Sequence, residues 1–570
     1  MAHADGHQPL TAPEVVRIVL RTLEPERSFL WLAAVYGVGI GLLSLATPIA
    51  VQVLINTVAY TGLTAPLVVL SLTLFVLLLA SGLLNALRVH LMEIFARRFY
   101  ARFVAHIALK ALYARNPFFA DEDRGPLFNR YFDIIAVQKA VPVLFIGGFT
   151  VVLQVVVGFA LTSFYHPLFL AFNMIVVLMV WLVWAVWGRS AIMTSVAMSQ
   201  RKHDAAAWIE SLGASNGYYK SDRHVAYALD KTEEATAGWV QAHRAHFRRF
   251  FAQTVSFLCL YAAASAALLG LGGWLVIQGQ LTLGQLVAAE LVLSVALYGI
   301  SQLGMYMNYF YDLAAACEEL SLVTAVEEEA PTGEECPPHH DATIVFKGVR
   351  GLARGAPVTF DVTIPGGVAV EARASAHGVQ RFFASCLKRF GEPYEGILTI
   401  GGDDVAGLDV FALRREVVVL DRPTVAGATL RDYLRLARDG VGSEEMIRAL
   451  TTVGLDRSLA ELPHGLDTKI AATGYPLSVA ETMRLKLAGA ILARPAVLVL
   501  NQLYDTVAEA DLIRAVRAVQ DCGGTGRRAT VIVFSGVDRS LDLDGSLWLS
   551  PEEQQLSLGD LPAGLSAAAE

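Results

Sequence analysis

Residues 28–87 read SFLWLAAVYGVGIGLLSLATPIAVQVLINTVAYTGLTAPLVVLSLTLFVLLLASGLLNAL, a run of 60 residues without Asp, Glu, Lys or Arg. Two more such stretches follow, residues 140–188 (49 residues) and 250–311 (62 residues, interrupted only by Glu290). One membrane span needs about 20 apolar residues, so each stretch is long enough for two spans and a turn. The sequence therefore predicts six transmembrane helices in three hairpins, with turns at Thr61–Ala65, Tyr165–Pro167 and Gln278–Thr282.

The composition agrees with a membrane protein that has a large soluble part. Of 570 residues, 54% are hydrophobic and only 17% are charged, against roughly a quarter charged in an average soluble chain. The mean hydropathy is +0.48. This composition excludes a disordered chain and a purely soluble enzyme. The net charge of −8 argues against nucleic-acid binding, which needs an excess of Lys and Arg. No CxxC pair occurs, so no metal site is predicted.

The placement of Lys and Arg predicts the orientation of the spans. Residues 88–139 carry nine of these cations, residues 189–249 carry nine more, and the three hairpin turns carry none. By the positive-inside rule, both long connections and both termini are expected in the cytoplasm. Residues 1–27 contain no apolar segment followed by a cleavage site, so no signal peptide is predicted.

The second half of the chain has the pattern of an α/β domain. Short β-branched runs alternate with helical stretches, and the runs are Thr343–Phe346, Val368–Val370, Ile397–Ile400, Val417–Leu420, Val497–Leu500 and Thr530–Phe534. The predicted organisation is an N-terminal cytoplasmic segment (1–27), a six-helix membrane domain (28–320), an acidic linker containing proline (321–342), the α/β domain (343–555) and a C-terminal tail (556–570).

Three stretches resemble ABC exporters, in which a six-span membrane domain precedes an α/β ATPase domain. LPHGLDTKIAATGYPLSVAETMRLKLAGAILARPAVLVL (462–500) is similar to the family's signature helix and Walker B strand, and KRFGEPYEGILTIGGDDV (388–405) to the segment after its phosphate loop. GQLTLGQLVAAELVL (279–293) resembles the start of the sixth span in type I secretion exporters. Each of the two long connections contains a break, at Asn116–Pro126 and at Gly213–Gly217. The connections are either the intracellular loops of an exporter, which turn back at such breaks, or ordinary juxtamembrane helices.

The resemblance places the family's phosphate-binding residues on positions that lack the required chemistry. The phosphate loop corresponds to Ala374–Phe382, where Gln380 replaces the Lys and Arg381 replaces the Mg²⁺-binding hydroxyl. After the Walker B strand, Asn501 and Gln502 replace the Asp that orients Mg²⁺ and the Glu that polarises water. Amides keep the shape of carboxylates but lose their charge and basicity. No GxxxxGK[ST] motif occurs anywhere in the chain.

The other ATP-binding motifs are substituted as well. The signature motif corresponds to Leu477-Ser478-Val479-Ala480-Glu481, which lacks both glycines of LSGGQ and places an anion at the helix end that would receive a phosphate. We expect Ser478 to remain able to donate to a phosphate, and Glu481 to repel it. The glutamine-loop position falls on Asp421 and the switch histidine on Gly536. We therefore expect a pseudo-ATPase domain, with neither bound cofactor nor ATPase activity in this chain alone; ATP and Mg²⁺ are expected only where a catalytic partner supplies the site.

Three functional hypotheses follow from the resemblance. The first is a non-catalytic half-transporter in a bacterial-type inner membrane, paired as a homodimer or with a catalytic ABC half, with a periplasmic adaptor as a further partner. The second is an assembly or regulatory membrane protein that transports nothing, and the third is an ATP-driven homodimeric exporter. Within the spans, Glu290 is either a contact for substrate or protons or a hydrated position near the outer rim.

Overall fold

The computed structural model describes residues 11–61, 64–115, 125–330, 333, 342–391, 393, 395–521, 528–537 and 541–559. Outside these residues lie positions 116–124 of the predicted break at Asn116–Pro126 and positions 62–63 of the predicted turn at Thr61–Ala65. Ten of the linker residues and the outer parts of both terminal segments also lie outside them. The chain divides into two compact units, Met1–Glu328 and Glu329–Glu570.

The first unit is built from long helices. They are α1 (Ala12–Leu23), α2 (Arg27–Leu43), α3 (Ala46–Thr61), α4 (Thr64–Leu112), α5 (Asp133–Val143), α6 (Phe149–Ser163), α7 (Pro167–Ala214), α8 (Asp222–Ile277) and α9 (Leu283–Thr324). Short 3₁₀ turns occupy Glu24–Glu26, Gly125–Phe132 and Asn216–Tyr219, and a π turn at Leu144–Gly148 joins α5 to α6. The predicted linker 321–342 therefore includes the end of α9.

Six segments of the described chain are long and apolar enough to cross a membrane, which confirms the predicted number of spans. The turns between α6 and α7 and between α8 and α9 lie where the sequence predicts them, and the helical break at Gly213–Gly217 is confirmed between α7 and α8. The helix α8 has 56 residues. At about 1.5 Å per residue it is more than twice as long as the hydrocarbon layer is thick, so it continues well outside the membrane.

The membrane unit has two apolar cores and a lipid-compatible outer surface. One core joins α1, α4, α5 and α7 to the end of α9, and the other joins α6, α7 and α8 to the first half of α9. The helix α9 therefore contributes to both cores. The first part of α4 instead exposes large apolar side chains, among them Val68, Leu72, Phe75 and Leu79, as expected of a surface that faces lipid or another apolar partner.

The second unit is an α/β domain. Its strands are β1 (Ile344–Ala353), β2 (Ala356–Ile364), β3 (Ala369–Ala374), β4 (Glu395–Ile400), β5 (Asp403–Asp404), β6 (Val417–Leu420), β7 (Ala428–Thr429), β8 (Lys469–Ile470), β9 (Val497–Leu500), β10 (Thr530–Phe534), β11 (Gly545–Leu549) and β12 (Gln554–Leu558). Its helices are α10 (His377–Leu387), α11 (Val410–Glu416), α12 (Leu430–Arg435), α13 (Ser443–Thr452), α14 (Asp456–Glu461), α15 (Val479–Ala493) and α16 (Glu509–Asp521).

The central sheet of this unit has six strands in the order β12-β11-β3-β10-β9-β6. The strands β3, β6, β9, β10 and β11 run parallel, and β12 pairs with β11 in antiparallel orientation. All residues of β9 and β10 are buried, as expected for parallel strands covered on both faces. An antiparallel sheet, β2-β1-β4-β5, shares one core with α10, and the pair β7-β8 lies beside the other helices.

Candidate functional site

The predicted site residues converge at the carboxyl edge of the central sheet. The strand β3 leads through Ser375 and Ala376 into α10, β6 is followed by Asp421, β9 by Asn501 and β10 by Ser535 and Gly536. These four strands are neighbours in the order β3-β10-β9-β6. Ligands of open α/β sheets bind outside this edge. The structure thus brings together the positions that the sequence analysis assigned to the phosphate loop, the Walker B end, the glutamine loop and the switch residue.

The phosphate-loop stretch is largely a helix. The helix α10 begins at His377, and the backbone N–H groups of Val379 and Gln380 both point to the carbonyl oxygen of Ala376, at 3.1 and 3.4 Å. The side chains of Val379 and Gln380 are 2% and 4% exposed. These two N–H groups are therefore engaged within the first turn of the helix, and the Gln380 side chain is turned into the protein.

Aromatic side chains fill the space beneath this helix. The ring of Phe382 is buried and stacks on the ring of Phe360, with centroids 5.6 Å apart. Gly351 of β1 provides the room, because a Cβ atom there would lie 2.2 Å from the Phe382 ring. Phe383 is fully buried in the same cluster, while Arg381 between Gln380 and Phe382 is exposed. Packing against β1 and β2 therefore fixes α10 in its present position.

The amide of Asn501 forms two local hydrogen bonds. Its Nδ2 donates to the carbonyl oxygen of Asp421 at 2.7 Å, and its Oδ1 accepts from the N–H of Leu503 at 3.0 Å. This side chain bridges the ends of β9 and β6 and caps the turn at Gln502–Thr506. Gln502 itself is exposed and lies beside Gly536, where a Cβ atom would approach its Cδ to 3.6 Å.

Asp505 is a site residue that the sequence analysis missed. Its carboxylate accepts hydrogen bonds from the Ser535 hydroxyl at 3.0 Å and from the Gly536 N–H at 2.8 Å. It therefore ties the turn after β9 to the turn after β10. The only signal in the sequence is an acidic residue shortly after a buried strand, which is too common a pattern to single out.

Asp421 places a negative charge at the end of β6. It acts electrostatically on Lys388 and Lys486, and Lys486 donates to the carbonyl oxygen of Thr424 at 3.2 Å. Burial and repulsion from Arg414 lower the pKa of Lys388 to about 8, although Asp421 opposes that shift. Lys388 lies at the far end of α10 from Gln380, so it does not take the place of the missing phosphate-loop Lys.

The signature stretch forms a closed helix cap. Ser478 is the N-cap of α15, and its hydroxyl oxygen accepts from the N–H of Glu481 at 3.3 Å. The Glu481 carboxylate turns back and accepts from both the backbone N–H of Ser478, at 2.8 Å, and the Ser478 hydroxyl, at 2.7 Å. This reciprocal arrangement is a capping box. The sequence analysis expected Ser478 to be able to donate to a phosphate. In this structure the Ser478 hydroxyl donates its hydrogen bond to Glu481 instead.

A second helix holds the same carboxylate. The hydroxyl of Ser458 in α14 donates to Oε1 of Glu481. Hydrogen bonds from Ser458 and from the Ser478 N–H lower the pKa of Glu481, which stabilises its ionised form. The anion at the start of α15 is thus part of the chain itself. The neighbouring Val479 is 55% exposed and adds an apolar side chain where the family motif has glycine.

Glu290 lies in the first half of α9 and is partly buried. Its Oε1 accepts from the Ser294 hydroxyl at 3.3 Å, and its Oε2 has no hydrogen-bond partner among the described residues. Neither the substrate role nor the rim role of Glu290 is decided by these contacts. Within the described part of the chain, no group of three His, Cys, Asp or Glu side chains is placed to hold a metal ion.

Comparisons with known proteins agree with this architecture. Residues 30–214 match the family model described as the ABC transporter transmembrane region. The structure of a bacterial Atm1-family ABC exporter with ATP bound superposes with a TM-score of 0.77 at 18% identity, covering 92% of this chain and 95% of that one.

Curated relatives match parts of this chain at low identity. An uncharacterised ABC transporter ATP-binding protein (YknV) of Bacillus subtilis is 24% identical over 63% of this chain and 61% of its own length. The fatty acid ABC transporter ATP-binding/permease protein of Mycobacterium tuberculosis is 28% identical over 46% and 42%. The toxin RTX-I translocation ATP-binding protein of Actinobacillus pleuropneumoniae is 26% identical over 41% and 34%. The chain matches less than two thirds of the length of each of these relatives.

The six spans, the α/β domain with its sheet order and the structural match together describe one known architecture. The chain is a multi-pass membrane protein with the fold of an ABC exporter half-transporter.

Proposed function

We propose that this chain is a non-catalytic half-transporter subunit for export across a bacterial-type inner membrane. The observation that carries the proposal is the phosphate-loop stretch, in which Val379 and Gln380 are buried in the first turn of α10. A site for ATP needs free backbone N–H groups and a Lys at this place. Here the N–H groups of Val379 and Gln380 are bonded within the helix, and Gln380 stands where the Lys is needed.

The residues at the strand ends do not fit Mg²⁺ bound to ATP either. Magnesium prefers carboxylate and hydroxyl oxygens in an octahedral arrangement, whereas Asn501 offers an amide that is already bonded to Asp421 and Leu503. Arg381 is a long cation where a small hydroxyl is needed. We derive no hydrolytic step for this domain, and its proposed role is that of a pseudo-ATPase.

The membrane unit supplies the transporting part of the proposal. In an exporter of this fold, two half-transporters enclose a cavity between twelve spans, so the active assembly is a homodimer or a heterodimer with a catalytic ABC half. Resemblance to type I secretion exporters supports a periplasmic adaptor as a partner and a protein, peptide or lipid as cargo. Two of the relatives are a fatty acid transporter and a toxin translocation protein, and the cargo that each name states lies within this range.

The capped signature helix favours a second candidate, a regulatory or assembly subunit. In ABC dimers, each ATP lies between the phosphate loop of one chain and the signature helix of the other. The N-terminus of α15 is occupied by Glu481, so it would serve a partner's nucleotide poorly. A like charge about 5–6 Å from a phosphate costs on the order of 1–3 kcal/mol in a partly wet site.

Co-purification separates these candidates. The full chain is purified from its native host with a mild detergent, and the proteins that accompany it are identified. A stoichiometric ABC half with an intact phosphate loop supports the transporting heterodimer, and a lone homodimer supports the regulatory role.

The signature helix of such a complex can then be tested directly. The changes Val479→Gly, Ala480→Gly and Glu481→Gln are made together in this chain, and ATP turnover of the complex is measured. An increase shows that α15 meets the partner's nucleotide. An unchanged rate argues for the regulatory role.

A further inference from the structure

A cluster of buried charges lies on α9 beyond its membrane-crossing part. Glu318 and Glu319 are 35 and 36 residues after Leu283. At about 1.5 Å per residue they are more than 50 Å along the helix, past a hydrocarbon layer about 30 Å thick. They also follow the uncharged stretch that ends at Tyr311. Their side chains are nevertheless buried, at 3% and 0% exposure.

Four cationic or titratable side chains from other elements enter this cluster. Arg130, in the 3₁₀ turn before α5, donates to Oε2 of Glu319 at 2.6 Å. Asp133 at the start of α5 is buried and accepts from Nζ of Lys202 at 2.7 Å, and Nε2 of His203 lies 2.6 Å from its other oxygen. Both Lys202 and His203 belong to α7.

Glu318 is the carboxylate of the cluster that has no Lys, Arg or His side chain as an ion-pair partner among the described residues. It forms a hydrogen bond with Gln200 of α7, and the charges that act on it are those of Glu319, Arg130 and Asp133. No ion pair to Glu318 within 4 Å occurs among the described residues, and its Oε2 has no hydrogen-bond partner there.

Other polar and titratable groups lie near this cluster, and one of them, Asp312, is a carboxyl on which Lys202 also acts. On α8, His246 lies beside the ring of Tyr311, with centroids 6.1 Å apart. On α1, Thr22 forms a hydrogen bond with the thiol of Cys317. Asp312 precedes the cluster and accepts from Nδ2 of Asn308 at 3.3 Å. None of these contacts brings a further cation to Glu318.

The charges of the cluster do not balance without a proton. Asp133, Glu318 and Glu319 carry three negative charges when ionised, against two from Arg130 and Lys202. An uncompensated buried charge is strongly destabilising, so binding one proton would stabilise the cluster. Glu318 Oε2 and Glu319 Oε1 both have no hydrogen-bond partner among the described residues, but Glu319 is ion-paired with Arg130, which leaves Glu318 as the carboxyl that binds the proton. Burial and the neighbouring Glu319 raise the pKa of Glu318 to about 7, and the unpaired Oε2 has room for that proton.

We propose that Glu318 is a proton-binding site that neutralises this cluster and thereby controls how firmly α9 packs against α5 and α7. The affinity of the folded chain for this proton exceeds that of an unfolded glutamate, whose pKa is about 4.3. The stabilisation is therefore fully present below about pH 4.3 and is lost as the pH rises from there through about 7. The site would make the end of the sixth span sensitive to cytoplasmic pH.

Infrared spectroscopy tests the proton directly. The full chain in detergent or nanodiscs is titrated from about pH 8 to about pH 6, and the carbonyl stretch of protonated carboxylic acids is followed. We expect a band that appears with a midpoint near pH 7 in the unmodified chain and is missing in Glu318→Gln. The absence of such a band in the unmodified chain overturns the proposal, whether or not the variant folds.

Hydrogen exchange tests the consequence for α9. After correction for intrinsic rates, the amides at the end of α9 should exchange about tenfold more slowly at pH 6 than at pH 8, because one proton is bound over that interval. Glu318→Gln should exchange slowly at both values, and Glu233→Gln, which changes an exposed glutamate of α8, should behave like the unmodified chain. A pH dependence that persists in Glu318→Gln but disappears in His203→Gln places the proton on His203 and overturns the proposal.

Discussion

The carboxylate of Glu481 accepts a hydrogen bond from the backbone N–H of Ser478, with Oε2 2.8 Å from the nitrogen. A helix N-terminus attracts anions because its first N–H groups have no partner within the helix. In α15 one of these groups is bonded to the Ser478 hydroxyl oxygen, and the Ser478 N–H is bonded to Glu481. The N–H groups of Ser478 and Glu481 are thus satisfied by the chain's own side chains.

The first prediction concerns this cap. Glu481→Ala should destabilise the first turn of α15 by about 1 kcal/mol, the usual cost of losing a helix cap, and should speed amide exchange there without producing ATP turnover. Glu461→Ala is the matched control, because Glu461 is an exposed glutamate at the end of α14. Equal exchange in the two variants would show that the capping box contributes nothing to this helix.

The second prediction concerns the buried amide of Gln380. Its Oε1 has no hydrogen-bond partner among the described residues, and the side chain is 4% exposed. Gln380→Met should therefore be neutral or slightly stabilising, whereas Gln380→Lys buries an unpaired cation and should cost more than about 2 kcal/mol. Thermal unfolding of the two variants measures the difference. A Lys variant as stable as the Met variant would mean that α10 can open to expose position 380.

The third prediction concerns the two amides after β9. Asn501→Asp removes the donor to the Asp421 carbonyl and leaves two acceptors face to face, so a loss of about 1–3 kcal/mol is expected. Gln502→Glu alters an exposed side chain and should be tolerated. The double variant should remain without ATPase activity, because the phosphate-loop stretch is unchanged. Hydrolysis by the double variant alone would show that ATP can bind at the start of α10 although Gln380 replaces the Lys.

The fourth prediction is a pH dependence at Lys388. The pKa of Lys388 is lowered to about 8, so the folded chain binds fewer protons than the unfolded chain between about pH 8 and 10.4. The buried charge of Lys388 therefore destabilises the fold fully below about pH 8, and this effect fades as the pH rises toward about 10.4. Lys388→Met should therefore raise stability at pH 7 by on the order of 1–3 kcal/mol, with a smaller gain at pH 9.5. The exposed Lys469→Met is the control. A gain that does not change with pH would assign the effect to packing instead.

Much of the fold could be predicted from the sequence because the responsible forces are local or collective. Charges are costly in hydrocarbon, so their absence marks the spans. Buried parallel strands need continuous apolar residues, so Val417–Leu420, Val497–Leu500 and Thr530–Phe534 are found with the predicted bounds. The break between α2 and α3 at Ser44 and Leu45 has no comparable signal.

The candidate site was less predictable because its contacts join distant residues. The spacing of Ser478 and Glu481 is that of a capping box, a local pattern. The hydroxyl of Ser458, which holds the same carboxylate, lies 23 residues away in sequence. Likewise, the helix α10 extends through the phosphate-loop stretch because Phe382 packs on Phe360 of a separate strand, which no single segment of sequence reveals.

Direct measurement of nucleotide binding tests the central claim, that this α/β domain is a pseudo-ATPase. The purified full chain in nanodiscs is titrated with labelled ATP in the presence of Mg²⁺, and phosphate release is followed in the same samples against empty nanodiscs. For a pseudo-ATPase domain we expect no saturable ATP binding and no ATP turnover above the control. Saturable Mg²⁺-dependent binding with turnover that Gln502→Ala or Gln380→Ala abolishes would contradict it.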